Sequence, residues 1–330
     1  MHKNSLYFAV LLGLFSTSAK ANDNNASTNT YQHEANVSYG SHTDDLDNGL
    51  WSVDYRFYFT PVDSQNGPYA LNGFLAQTSN LEAQYAQVSI LDDSVSYSID
   101  GTYVLDSNWF VAANYSEVDL DDDAFIVALG DDISAYGFSL GYYFNQTSEF
   151  SLSYQTSSSS GSRSFGNDVY SLFTSSEIDS KSYSAQIHSF VPLQSFSGLD
   201  FLAKWSYIDS DYDYISQSID NDGTSNYSGN SQIDSNIVNL SADWYITKSW
   251  SVGAGYLWSQ YDTESKYIST YGNNQDSNDD SNSSYSISSS YWWQISQLFA
   301  AKFSVAKQFG LDGDNTPDGF MVGVSLNGRF

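Results

Sequence analysis

Cysteine is absent from the 330 residues. A disulfide scaffold, thiolate metal sites and a cysteine nucleophile are therefore excluded. Proline occurs 4 times, and Lys and Arg together 11 times, against 39 Asp and Glu. A net charge of −28 argues against nucleic-acid binding by phosphate neutralisation. Helix formers such as Lys, Glu, Leu and Ala are sparse for the length. After the N-terminus no apolar run approaches the ~20 residues of a membrane-spanning helix. There is no glycine-rich phosphate loop, and no cofactor is expected. What is plentiful is aromatic: 27 Tyr, 20 Phe and 8 Trp, set among Ser, Asn, Asp and Gly. That composition suits strands with two unlike faces.

The first stretch stands apart. MHKNSLYFAVLLGLFSTSAKA has the basic Lys3, an apolar run Phe8–Phe15 and the sequence Ala19-Lys20-Ala21. This is the layout of a secretory signal peptide with a small-residue cleavage site. The run is too short to cross a bilayer as a helix. The expected organisation is a cleaved segment, 1–21, and a single domain, 22–330, delivered by Sec-type export.

Period two dominates the rest. Trp51, Val53, Tyr55, Phe57 and Phe59 share one face, and so do Trp250, Val252, Ala254, Tyr256 and Trp258. The chain ends GFMVGVSLNGRF, with Phe320, Val322, Val324, Leu326 and Phe330 on one stripe. Alternation of this kind is the strand period. The first stripe runs from Tyr31 through His33 and Ala35. The stretch 73–91 is the least regular and is assigned to a strand. The stripes predict about 14 strands, within about 12 to 16, each near the ~9–11 residues of a tilted membrane strand. Aromatics gather at the stripe ends, as in the two girdles of a membrane barrel. A soluble sandwich would also alternate, but it would bury its aromatics in a core. The predicted fold is all-β, an antiparallel up-and-down transmembrane β-barrel.

Connections alternate as well. LDSN (105–108), NQTS (145–148), ITKS (246–249) and ISQ (295–297) are short. The segments 116–132, 156–181, 209–234, 261–281 and 310–318 read as long loops, and most of the acids fall there. Outer-membrane barrels have short periplasmic turns and long external loops. The acids would then crowd one mouth of the barrel. DSDYDY (209–214), IDNDG (219–223) and LDGDNTPDG (311–319) offer oxygen ligands for divalent ions. None has full EF-hand spacing, so no metal site is assigned. Divalent ions could still bridge the acids to lipopolysaccharide.

The terminal strand with its closing Phe330 resembles the last strand of a Gram-negative outer-membrane barrel. There it is read by the outer-membrane assembly machinery. YQHEANVSYGSHTDDLDNGLWSVDYRFYFTPVDSQNGPYALNGFL, at the start of the domain, resembles the general bacterial porin family of marine gammaproteobacteria. The resemblance implies a passive channel in the outer membrane, with no catalytic residues. Porins of this kind are trimers or monomers, and the sequence itself carries no oligomer signal.

If the apolar stripes face lipid, the alternate residues face the lumen. Asp54, Arg56, Tyr58, His188, Phe190, Lys204, Asp243 and Lys302 fall there. A Lys or Arg on the lipid face costs about 2–4 kcal/mol at midplane, which is the physical reason for these assignments. Lys307 has lipid-side parity near the outer end of its strand and would snorkel to headgroups. Related channels fold a third loop inward. In this chain, that would set Asp119, Asp121, Asp122 and Asp123 of segment 116–132 opposite a basic wall of Arg56, Lys204 and Lys302. Such a field selects ions. The expected function is passive diffusion of small hydrophilic solutes and ions, with cation preference. The alternatives are a non-conducting surface barrel (adhesin or receptor) and an outer-membrane barrel hydrolase built on His188. A sugar channel would want an aromatic ladder in the lumen, for which only Tyr58 and Phe190 have the parity.

Overall fold

The computed structural model describes residues 30–88, 94–119, 132–166, 170–194, 197–220, 223–270, 272–310 and 319–330. Fourteen antiparallel strands close into one barrel. They are β1 (Thr30–His42), β2 (Asp45–Asp63), β3 (Asn80–Val88), β4 (Ser94–Val104), β5 (Trp109–Asp119), β6 (Asp132–Asn145) and β7 (Ser148–Gly166), then β8 (Ser171–Gln194), β9 (Ser197–Asp220), β10 (Gly223–Tyr245), β11 (Trp250–Ser269), β12 (Gly272–Gln294), β13 (Phe299–Gly310) and β14 (Met321–Arg329). Each strand pairs with its sequence neighbours, and β1 pairs with β14 to close the seam. Closure removes every sheet edge, which a bilayer requires because lipid offers no hydrogen bonds to bare backbone.

The alternation is what lets these strands sit in lipid. Val53, Tyr55, Phe138, Leu152, Ile187, Trp205, Leu240 and Phe303 are all exposed on the outer surface. In water such a surface would be a large apolar patch. In a membrane it is the contact face. Rings ladder across neighbouring strands at its two rims. Tyr115 lies 5.0 Å from Tyr136, Tyr154 lies 5.2 Å from Tyr183, and Tyr183 lies 6.5 Å from Tyr207. At the opposite rim Trp109 meets Tyr142 at 5.1 Å and Phe299 meets Phe330 at 6.2 Å. Phe330 also completes the seam through its backbone. Its carbonyl accepts from the amides of Gln32 and His33, and its own amide donates to the His33 carbonyl at 2.9 Å. Lys307 places its ammonium 5.5 Å from the ring centre of Phe320.

Three expectations need correction. The segments 156–181, 209–234 and 261–281 are mostly strand, not loop. β8 and β9 each run for 24 residues, and β10 and β12 for 23. At ~3.3 Å per residue a strand of that length reaches about 80 Å, against an apolar band about 25 Å tall. One side of the barrel therefore rises as a wall far outside the membrane. Second, the stretch 73–91 is not one strand. Asn72–Ala76 forms a short helix, α1, after a 3-10 turn at Tyr69–Leu71, and only Asn80–Val88 is strand. Third, Tyr31 does not face lipid. The β1–β2 register shifts between Tyr31 and His33, which turns the ring inward. There it is 2% exposed and packs edge-on to Tyr58 at 5.9 Å.

Candidate functional site in the barrel lumen

The segment between β2 and β3 folds into the lumen. Gly67 and Pro68 break the strand pattern, with Gly67 at φ +94°. Pro68 cannot donate a backbone hydrogen bond and opens the 3-10 turn. The apolar residues that follow, Ala70, Leu71, Phe74 and Leu75, have helical spacing. They pack on lumen-facing rings of the wall: Phe190, Tyr245 and Trp292, together with Ala300. Among the described residues this cluster is larger than the other buried apolar one, around Tyr31, Tyr58 and Val62, and it lies inside the barrel at the end that holds the short turns.

The segment is tied to strands around the barrel. The Tyr69 amide donates to the Lys248 carbonyl at 3.0 Å, and the Tyr69 hydroxyl donates to Gln294 Oε1 at 2.9 Å. Arg329 Nη2 donates to the Tyr69 carbonyl at 3.3 Å. Lys248 Nζ donates to Gln65 Oε1 at 2.8 Å. Burial lowers the pKa of Lys248 in this turn, while Asp63 opposes the shift. Gln77 Nε2 donates to the Asn145 carbonyl at 2.7 Å. Phe74 stacks on His188 at 3.7 Å. Gly73 lies against the other wall, where a Cβ would sit 2.9 Å from the Tyr58 hydroxyl. The insert thus bridges β2 and β8, elements from opposite parts of the circuit.

Charges on the lumen wall form two separate groups. The first spans β1 to β4. Arg56 is paired with Glu82, with Nε donating to Oε2 at 2.9 Å. Arg56 Nη1 donates to the Tyr58 hydroxyl at 3.3 Å, and that hydroxyl donates to Glu34 Oε2 at 3.1 Å. Asn36 donates to Asp54 at 2.7 Å, and Asn327 to Asn36 at 2.6 Å. Glu34 and Asn327 are fully buried. Asp100 lies in register with Glu82. Arg329, 1% exposed, closes the group with its guanidinium 5.6 Å from the Tyr31 ring. The second group spans β7 to β13. His188 Nε2 and Asp200 Oδ1 are 3.0 Å apart, Glu149 lies in register with His188, and Asp200 with Asp243. Lys302 Nζ sits 5.5 Å from the Trp292 ring centre.

Arg56, Lys204 and Lys302 do not make one basic wall. Arg56 on β2 and Lys204 on β9 are seven strands apart in a circuit of fourteen, so they face each other across the barrel. Asp119, at the end of β5, shares the outward parity of Tyr115 and Glu117, whose side chains bond at 2.6 Å. It therefore points away from Arg56. Asp121, Asp122 and Asp123 lie outside the described residues. Parity does not reveal the inserted segment, nor Glu82, which lies in the irregular stretch 73–91. Glu34, Asp100, Glu149, Asp200 and Arg329 alternate with lipid-facing neighbours, so their lumen placement follows from the stripes. The signal for the insert was present as a break in period two with apolar residues at helical spacing.

Among the described residues, no three His, Asp or Glu side chains are grouped to hold a metal ion. His188 pairs with Asp200, and among the described residues no serine hydroxyl bonds to it. The geometry is a charged barrel lumen with a peptide insert at one end.

A closed barrel with an aromatic-rimmed apolar belt and a polar lumen defines an outer-membrane β-barrel protein of a Gram-negative cell. The family model described as "Putative general bacterial porin" matches residues 1–291, and the chain belongs to that family. Among solved structures, the chain is similar to the Acinetobacter baumannii outer membrane protein Omp33. The TM-score is 0.52 at 16% identity, covering 92% of this chain and 100% of that one. It also matches the ferric yersiniabactin uptake receptor FyuA of Yersinia pestis, with TM-score 0.47 and 11% identity over 84% of this chain and 46% of that one. The chain thus spans about half the length of that receptor. OmpT of Vibrio cholerae matches with TM-score 0.41 and 8% identity over 92% of this chain and 98% of that one. The likeness to Omp33 speaks to the fold alone. No curated protein matches the chain in sequence.

Proposed function

We propose that this barrel is a porin whose aqueous route is narrowed at its periplasmic end by the inserted segment 64–79. The observation that carries this reading is the placement of α1. It sits on the lumen cluster Phe190, Tyr245 and Trp292, where solute leaving the barrel would pass. Small hydrophilic solutes and ions diffuse down their gradients, and no chemistry is performed on them. Lumen carboxylates Glu34, Asp54, Glu82, Asp100, Glu149, Asp200 and Asp243 outnumber Arg56, Lys204, Lys302 and Arg329. That balance supports cation preference, because fixed charge in a narrow water column raises the local counter-ion concentration. His188 serves as a stacking partner for the insert rather than as a catalytic base.

Export with loss of residues 1–21, recognition of Phe330 during assembly, and contact with lipopolysaccharide belong to the same reading. The insert also favours a second one: a barrel closed at rest that serves as a surface receptor. Planar-bilayer recording across a KCl gradient separates them. Stepwise, cation-favouring current supports the porin. A membrane sealed with the insert present and opened by its removal supports the closed receptor.

A further inference from the structure

The tall wall formed by β8–β11 is two-faced in a way that conduction does not require. No register shift interrupts the pairing of β8 to β9, β9 to β10 or β10 to β11 above the membrane. Lumen parity therefore carries unbroken from Lys204 and Asp243 to the tips. Above Tyr183 and Tyr207, and short of Asp220 at the end of β9, the charged residues of these four strands all take the outward parity. Asp179 pairs with Asp211, and Asp209, Asp234 and Asp262 line up in one row. The inward face of the same strands, among the described side chains, carries no charge. It holds Ser, Thr, Ile and a run of tyrosines. The neutral strip ends where charge returns to the inward parity, at Arg163 on β7 and at Asp276 and Asp280 on β12. Its four strands span about 15 Å at ~4.8 Å per strand spacing.

The tyrosines form a ladder. Tyr212 and Tyr214 stack at 6.4 Å and 24°, Tyr214 meets Tyr227 at 5.9 Å and 63°, and Tyr227 stacks on Tyr267 at 5.7 Å and 25°. Gly229 lies in register with both Tyr214 and Tyr267. A Cβ there would sit 2.8 Å from the Tyr267 ring. The glycine thus makes room for that ring over the strand. Hydroxyls surround the ladder. Ser231 and Ser265 bond at 2.7 Å, and Ser180 and Ser210 at 2.8 Å.

We propose that this inward strip is a binding surface for an uncharged linear oligosaccharide outside the membrane. A tyrosine face is electron-rich and meets the positive C–H edge of a pyranose ring. Serine and tyrosine hydroxyls both donate and accept, which suits sugar hydroxyls of either role. The absence of fixed charge spares a neutral ligand any desolvation of buried ions and gives an anionic one nothing to pair with. The acids on the outward face repel polyanions from the rim. The inference stands whether or not the barrel conducts.

The test is saturation-transfer NMR on the refolded full chain in lauryldimethylamine oxide, a detergent with no sugar headgroup. The probes are maltohexaose, cellohexaose, laminarihexaose and chitohexaose, with hexagalacturonate as the anionic control. At least one neutral hexasaccharide is expected to receive saturation, and hexagalacturonate none. Tyr227→Leu with Tyr267→Leu keeps apolar contact across the strands but removes the flat faces. It should weaken binding by about tenfold or more, with the thermal unfolding midpoint unchanged. Binding by no neutral probe, equal binding by the anionic one, or full affinity in the folded double variant would each overturn the proposal.

Discussion

Phe74 lies flat on His188, with ring centres 3.7 Å apart and planes inclined by 24°. One ring belongs to the insert and the other to β8 on the far wall, so this contact measures whether the insert is seated. His188 is itself held by Asp200 at 3.0 Å. Phe74→Ala should remove about 1–2 kcal/mol from the seated state, less than a fully buried ring would give. That is about a tenfold shift toward the unseated state. Gly73→Val should act in the same direction by collision with Tyr58, where even a Cβ would sit 2.9 Å from the hydroxyl. Single-channel recording checks both, with larger or more frequent steps expected from each.

Arg56 and Glu82 form a partly buried pair in a ring of other carboxylates. Arg56→Met leaves Glu82 without its cation and takes one positive charge away from Asp54 and Glu34. Removing one partner of a buried pair costs about 3–5 kcal/mol. The side chains here are 22% and 19% exposed, which places the effect at about 3 kcal/mol. Arg56→Met with Glu82→Leu should recover most of it. Urea unfolding of the barrel in lipid vesicles measures all three proteins.

Selectivity should follow the lumen acids. Asp54→Asn removes one charge beside β1, where Asn36 already donates to that side chain at 2.7 Å, so the bond survives as an amide contact. Asp243→Asn removes another from the β10 wall. Together they should move the reversal potential toward zero, and the wild-type preference should shrink as salt is raised from 0.1 to 1 M, since the screening length falls from about 10 to about 3 Å.

Phe330 should matter more to assembly than to stability. Its ring is 49% exposed on the lipid side, and its seam bonds are made by backbone atoms that any residue supplies. Phe330→Ala should therefore melt within about 1 kcal/mol of the wild type in detergent, while the folded fraction recovered from cell outer membranes falls severalfold. Equal losses in both measurements would assign the ring a structural role.

The barrel was legible because lipid imposes period two on every strand, and fourteen stripes became fourteen strands. Strand length was not legible. Outside the membrane the apolar face of β8–β11 changes to acids such as Asp209 and Asp211, so the pattern reads as a polar loop although the alternation continues. The insert was missed because α1 is only five residues long, so the helical spacing of Ala70, Leu71, Phe74 and Leu75 covers barely more than one turn and is outweighed by the strand stripes on either side. Parity told which way Arg56 and Asp54 face. It could not show that Glu82 and Asn36 would be their partners, because pairing depends on cross-strand register, and register follows from barrel closure. Tyr31 shows the same limit, since one shift in register moved it from lipid to lumen.

The central claim is that residues 64–79 govern passage through a conducting barrel. The direct test is a planar-bilayer comparison of the wild type with a variant in which residues 65–78 are replaced by a short glycine-serine turn. Both are recorded across a KCl gradient after heat-modifiability confirms folding. The account predicts small or infrequent cation-favouring steps for the wild type and clearly larger steps of the same selectivity sign for the variant. Identical conductance in the two proteins, or a folded variant that leaves the membrane sealed, would contradict it.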